Sequence, residues 1–145
     1  MKSLFKNLCI ASDHAGFNLK EYIKEFLINN KVSVFDLGPH NSKSVDYPDF
    51  AKKVANRIKL KKSIIGILVC GSGTGMAISA NKIKGVRAAV CYSSSSTRLS
   101  RLHNDANIIA IGSRLTKKKE VVKLISIFLN TKFEGGRHLR RVKKI

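Results

Sequence analysis

The stretch "IIGILVCGSGTGMAISANK" occupies residues 64–82. Ile64–Cys70 is a nearly continuous apolar run, which predicts a strand buried on both faces. Gly71, Gly73 and Gly75 follow at alternate positions, and Met76–Lys84 reads as a helix. A strand covered on both faces belongs to a parallel sheet with helices on either side, so this one stretch decides the fold class. It also raises a chemical question, because the strand ends in a thiol, Cys70, at the lip of a glycine-rich turn.

The flanking sequence alternates in the same way. "NLCIAS" (7–12) predicts a strand, and residues 17–30 place Leu19, Tyr22, Ile23, Phe26 and Leu27 on one side of a helix. Residues 32–38 alternate like a strand and stop at glycine and proline; 40–47 is a polar loop. Pro48 suits the first turn of a helix that begins after Asp46 or Tyr47 and carries Phe50, Val54 and Ile58 inward. Residues 86–91 and 107–112 predict two more strands, with a helix over 93–105 that opens on N-cap serines. Thr116 is expected to cap an amphipathic helix running to about Leu129. From about residue 133 the chain is a basic tail opened by two glycines. The pattern is that of a single α/β domain with five parallel strands. Ligands in such sheets bind at the carboxyl ends of the strands. That singles out Ser12–Gly16, Cys70–Gly75 and Gly112–Arg114.

Composition narrows the partners. The chain has 145 residues, of which 43% are hydrophobic, enough for a sizeable core. No run reaches the roughly 18 apolar residues of a membrane span. Lys6 and Asn7 interrupt the N-terminus before any signal-like core forms, so a cytoplasmic location is expected. Three cysteines without a CxxC pair, and four dispersed histidines, indicate neither a disulfide framework nor a zinc site. A formal charge of +19 is the feature that would suggest nucleic acid. The charge is spread along the chain, with local densities at Lys59–Lys62, Lys117–Lys119 and Arg137–Lys144. Aromatic stacking residues are not interleaved with it, so nucleic acid is not the expected main partner. An anionic small substrate needs only a few of these charges.

The glycine turn fails both nucleotide signatures. Its spacing is G-x-G-x-G rather than G-x-G-x-x-G, and "VCYSSSS" (90–96) lacks the expected carboxylate. The phosphate loop of nucleotide hydrolases requires a lysine directly after its last glycine, where Met76 stands. What remains is a nest of backbone N–H groups at a helix start, which holds an anion and favours a thiolate beside it. Cys70 is then either a base or nucleophile with Gly71–Gly75 as its anion hole, or a buried structural cysteine closing a strand.

Taken together, "SDHAGFNLK" (12–20), "DYPDFA" (46–51), "CGSGTGMAISANK" (70–82), "GVRAAVC" (85–91), "SRLHNDANIIAIGSR" (100–114) and "FEGGRHLRRV" (133–142) resemble ribose-5-phosphate isomerase type B. That group belongs with the ribose/galactose isomerases. The resemblance covers nearly the whole chain, in order. It implies a three-layer α/β/α fold and a homodimer, or dimer of dimers, with active sites shared across the interface. It implies no metal or organic cofactor, and a sugar phosphate as substrate. The reaction would interconvert ribose 5-phosphate and ribulose 5-phosphate in the non-oxidative pentose phosphate pathway.

The same resemblance implies roles. Cys70 matches the base of the cysteine-bearing branch, since 71–82 holds no acidic residue. Gly71, Ser72, Gly73, Thr74 and Gly75 match the anion hole, with Ser72 placed to tune the thiol or touch substrate. His103 matches the ring-opening acid/base, and an imidazole suits proton transfer near neutrality. Asn104 and Asp13 match sugar contacts, His14 a phosphate or substrate contact, and Tyr47 a residue beside the ring. Arg114, Arg137 and Arg141, assisted by His138, match the phosphate grip, for which the guanidinium fork is suited. Cys9, Cys91, Lys82, Arg87, Arg98 and Arg101 are expected to be structural or surface groups. Two alternatives stand: a hexose 6-phosphate isomerase on the same fold, acting on allose or galactose 6-phosphate, and a basic nucleic-acid-binding protein.

Overall fold

The apolar run at the centre of the sequence is the centre of the sheet. In the computed structural model, which describes residues 3–61 and 63–145, Ile64–Cys70 forms a strand buried at every position. Lys62, the end of one basic run, and Met1 and Lys2 lie outside the described residues. In chain order the elements are β1 Asn7–Ser12, α1 Phe17–Asn29, β2 Ser33–Asp36, α2 Tyr47–Leu60, β3 Ile64–Cys70, α3 Thr74–Ala80, β4 Ala88–Val90, α4 Ser94–Asn104, β5 Ile108–Gly112, α5 Lys118–Asn130 and α6 Arg137–Val142. The strands form one parallel sheet in the order β2-β1-β3-β5-β4.

Period-two alternation splits the core into two layers. Leu8, Ile10, Ile65, Ile67, Val69, Ile109 and Ile111 face α1 and α5, against Ile23, Leu27, Leu124 and Phe128. Cys9, Ala11, Leu68, Cys70 and Ala110 face α2 and α3, against Val54, Ile58, Met76 and Ala80. This is the three-layer α/β/α architecture. The chain therefore leaves β1 toward one face and β3 toward the other, and their loops diverge. A crevice at the carboxyl ends of adjacent strands is the consequence.

Several expectations need correction. Thr116 does not cap α5; Lys117 holds that position without a side-chain cap. Leu115 and Thr116 N–H both donate to Gly112 O at 3.1 Å, so Thr116 belongs to the turn, and its hydroxyl is buried without a partner among the described residues. The helix α3 begins at Thr74 and ends at Ala80, earlier than Met76–Lys84 suggested, because Gly73 in the left-handed region (φ +80°) starts it sooner. The edge strands β2 and β4 are shorter than their apolar runs, and the basic tail contains α6. By contrast, α4 begins where expected, with Ser93 and Ser96 forming a reciprocal capping box.

Lys20, outside the apolar side predicted for α1, is fully buried. Its Nζ donates to Glu21 Oε1 and Asp36 Oδ2, each at 2.7 Å, and Lys24 Nζ shares the Asp36 oxygen at 2.7 Å. Burial alone would raise the Asp36 carboxyl, but these donors and the Gly38 N–H outweigh it and hold it below the usual carboxylate range. No helix among the described residues is long and apolar enough to cross a membrane.

Candidate active site

Glycines bring the three loops at the carboxyl end together. A Cβ on Gly16 would lie 2.3 Å from Val69 O, so only glycine lets the turn after β1 press against β3. Asp13 N–H donates to Val69 O at 3.1 Å, and Asp13 Oδ1 accepts from Gly16 N–H at 2.9 Å. From the other side, Ser113 N–H donates to Cys70 O (2.8 Å) and Arg114 N–H to Gly71 O (3.0 Å). The turn 71–75 is therefore tied to β5 through its backbone.

Cys70 closes the buried strand with its thiol at this turn. Gly73 N–H donates to Cys70 Sγ at 3.1 Å, and Thr74 N–H donates to Ser72 Oγ at 3.3 Å. The Arg114 guanidinium lies over Gly71, and the Tyr47 ring over Gly75. Asp13, Tyr47, Cys70, Gly71, Ser72, Gly75, Arg114 and Leu115 line a cleft of about 270 Å³. Larger hollows lie elsewhere, among them one of about 580 Å³ along α1 and one of about 490 Å³ lined by Lys59, Lys84, Arg87 and Arg101. Neither combines a thiol with converging backbone donors. His14 lies outside the cleft lining; its Nδ1 accepts from Val45 N–H at 3.2 Å and ties the loop before α2 to the end of β1.

Burial disfavours the thiolate at the other two cysteines. It pushes Cys9 up to about 12, slightly opposed by Arg57, and it raises Cys91 as well. Both are fully buried core residues, as expected.

The remaining predicted residues gather at the opposite end of the sheet. α4 starts beyond the carboxyl end of β4 and runs back for 11 residues, about 16 Å. Its last residues, His103 and Asn104, therefore stand near the amino end of β5. Arg101 fixes this corner: it is buried, and it donates to Asp105 Oδ1 (2.8 Å), Ala106 O (2.7 Å) and Thr131 O (3.2 Å). Arg87 donates to the carbonyls of Asn104 and Asp105 and to the Asp105 carboxylate. The segment before α6 docks here through Glu134 N–H to Leu102 O at 3.0 Å.

The docking stacks His103 on His138, with ring centroids 4.2 Å apart and planes within 10°. Glu134 Oε2 lies 3.7 Å from the Nε2 of each. Burial lowers the His138 imidazole, reinforced by His103, Arg137 and Arg141 and opposed by Glu134. Arg137 and Arg141 project from the same short helix, with Arg141 Nη1 donating to Arg137 O at 3.4 Å. Glu134 was missed in the sequence, although its four-residue spacing from His138 was a signal.

One chain thus divides the predicted residues into two sets. Asp13, Tyr47, Cys70–Gly75 and Arg114 share the cleft end. His103, Asn104, Arg137, His138 and Arg141 share the far end.

The sequence model of the Ribose/Galactose Isomerase family matches residues 8–145. The chain belongs to this family. Among its relatives, ribose-5-phosphate isomerase B of Escherichia coli (strain K12) is 41% identical over 140 residues, covering 97% of this chain and 94% of that protein. The structure of Clostridium thermocellum ribose-5-phosphate isomerase B superposes with a TM-score of 0.93 at 46% identity, covering 95% and 93% of the two chains. That of the Mycoplasma genitalium enzyme with bound ribulose 5-phosphate superposes with a TM-score of 0.93 at 43% identity, covering 99% and 95%.

Proposed function

We propose that this chain is a ribose-5-phosphate isomerase that moves a proton between C2 and C1 of its substrate through an enediolate. The observation that carries this reading is the Cys70 thiol, held at the rim of the cleft with the Gly73 N–H on its sulfur. An N–H donor aimed at sulfur supports negative charge there. Cys70 as thiolate takes the C2 proton of the open-chain aldose, and charge moves onto the C1 oxygen. Returning the proton to C1, with transfer of the C2 hydroxyl proton to the C1 oxygen, yields the ketose.

Gly73 N–H is engaged with the thiol and Thr74 N–H with Ser72. We therefore assign the amides of Gly71, Ser72 and Gly75 to the developing oxyanion. Preorganised donors of this kind are often the largest catalytic term. Asp13 and Tyr47 border the space for the sugar. His14, bonded to Val45, is a loop anchor beside that space.

Ring opening needs an acid/base that a single chain does not bring to Cys70. The separation of the two sets supports a homodimer, or dimer of dimers, in which each cleft is completed by the His103 end of a second copy. His103 would then open the ring, Asn104 bind a hydroxyl, and Arg137, Arg141 and His138 join Arg114 in gripping phosphate. The span 1–145 would act as one domain whose C-terminal segment, from about 133, is part of the site. The substrate suggests a cytoplasmic place in the non-oxidative pentose phosphate pathway.

The test is ribulose 5-phosphate formation from ribose 5-phosphate with EDTA present, beside the Cys70→Ala variant. Turnover in the wild type, abolished in the variant while phosphate still binds, is the expected result. Near-normal turnover by Cys70→Ala overturns the base assignment. A higher kcat/KM on allose 6-phosphate replaces the pentose with a hexose.

A further inference from the structure

Glu134 has no part in the reaction above, yet it stands between the two stacked histidines. One ligand atom each from His103, Glu134 and His138 lies within 4.8 Å of the other two. The two distances from Glu134 Oε2 to imidazole Nε2 are both 3.7 Å. Around a tetrahedral zinc ion with bonds of about 2.0–2.2 Å, ligand atoms stand about 3.4 Å apart. The carboxylate is thus a few tenths of an ångström from bonding distance to a shared ion.

The freedom to close is distributed favourably. In the isolated chain the Glu134 side chain is 56% exposed and that of His103 36%, whereas the His138 side chain is only 10% exposed. The two outer groups can adjust onto a fixed inner one. The stacked imidazoles lie within 10° of parallel, so sharing an ion would require the His103 ring to tilt out of the stack. Backbone ties limit how far the groups must travel, since Glu134 N–H is bonded to Leu102 O.

A second observation points to a ligand. His138 Nε2 is buried with no hydrogen-bond partner among the described residues. A buried polar atom without a partner carries a desolvation penalty that a bond would relieve. Two imidazoles and a carboxylate are a zinc-type donor set and a poor one for calcium or magnesium.

We propose that His103, Glu134 and His138 form an inhibitory site for zinc or a similar divalent transition ion. The ion is not a cofactor: it occupies the His103 lone pair needed for proton transfer. The proposed binding rests on the geometry, whereas inhibition rests on the ring-opening role proposed above. Arg137 and Arg141 beside His138 oppose a dication, so the Glu134 charge decides the affinity and its removal is the sensitive test.

The experiment titrates zinc chloride into EDTA-stripped wild type, Glu134→Gln and Cys70→Ser by calorimetry, with cobalt absorption reporting the ligand type. The expected wild-type result is one ion per chain, without a thiolate-to-cobalt charge-transfer band. Cys70→Ser should bind equally well. Glu134→Gln should bind more weakly by at least the ~10–100-fold that loss of a mere outer-shell partner costs. No binding, unchanged affinity in Glu134→Gln, or loss in Cys70→Ser overturns the site. In the activity arm, zinc should inhibit turnover of cyclic ribose 5-phosphate reversibly to EDTA. Zinc bound at the triad without inhibition overturns the inhibitory part. A stripped wild type inactive before zinc is added refutes the reaction instead, and the titration still decides the site.

Discussion

Replacing Gly73 with alanine tests the link between backbone geometry and the thiol. Gly73 has φ +80°, a region that costs a side chain about 1–2 kcal/mol. The new Cβ would also stand 3.0 Å from Ile111 C and 3.2 Å from Gly112 N, both backbone atoms of β5 that cannot swing aside. Overpacking of this kind costs about 1–3 kcal/mol more. Gly85 supplies the control: its φ is +86°, but a Cβ there meets nothing within 4 Å. Gly85→Ala should therefore lose only the strain term and retain activity. Gly73→Ala should lose about 2–5 kcal/mol in all. In thermal unfolding followed by circular dichroism, each kcal/mol moves Tm by about 2–4 °C for a chain this size. Moving the turn also misaims the Gly73 N–H from Cys70 Sγ, so kcat/KM should fall by about 10²–10³, as for loss of one preorganised donor. The reasoning is refuted if Gly73→Ala is as stable as Gly85→Ala, or keeps the wild-type kcat/KM.

Other outcomes follow from the same structure. Iodoacetamide should label Cys70 before Cys9 and Cys91, whose thiols burial holds protonated; peptide mapping that finds Cys9 or Cys91 first contradicts this. Arg137→Ala should raise KM by about 10–100-fold, from the roughly 1.5–3 kcal/mol of a charge-assisted hydrogen bond, with a smaller change in kcat; an unchanged KM removes Arg137 from the phosphate grip. Asp36→Asn should cost about 3 kcal/mol, the low end for breaking a buried pair, because Glu21 still meets Lys20. The Asp36 carboxyl is held below its unfolded value, so its stabilisation is complete above the ordinary carboxylate range and is lost as pH falls through the folded value. Denaturant titrations from neutral to acid pH should therefore show wild type and Asp36→Asn converging, and parallel curves would contradict the pairing.

Much of the fold was legible because its signals are local. The Ile64–Cys70 run marks a strand buried on both faces, and the structure buries each of its residues. Ser93 announced the start of α4 through a capping box built within four residues. Right-handed parallel connections then send the loops after β1, β3 and β5 to one end of the sheet, as the sequence reading required. Where local signals misled, tertiary contact was the cause. Thr116 resembles a cap, but the turn onto Gly112 O draws its hydroxyl inward. Lys20 resembles a solvent residue, but β2 delivers Asp36 to neutralise it inside the fold.

The sequence by itself determined the α/β class and the family, and it located the thiol at a glycine-rich turn, because periodicity, glycine spacing and residue type are properties of neighbouring positions. Only the tertiary structure decided the strand order β2-β1-β3-β5-β4, the closure of the cleft around Cys70, and the stacking of His103 on His138 across 34 intervening positions. It also separated those histidines from the thiol, because α4 must run antiparallel to the strands it connects. The physical reason is the same in each case. Which side chains meet depends on how helices pack over the sheet and where loops close, and that free energy is summed over contacts distant in sequence.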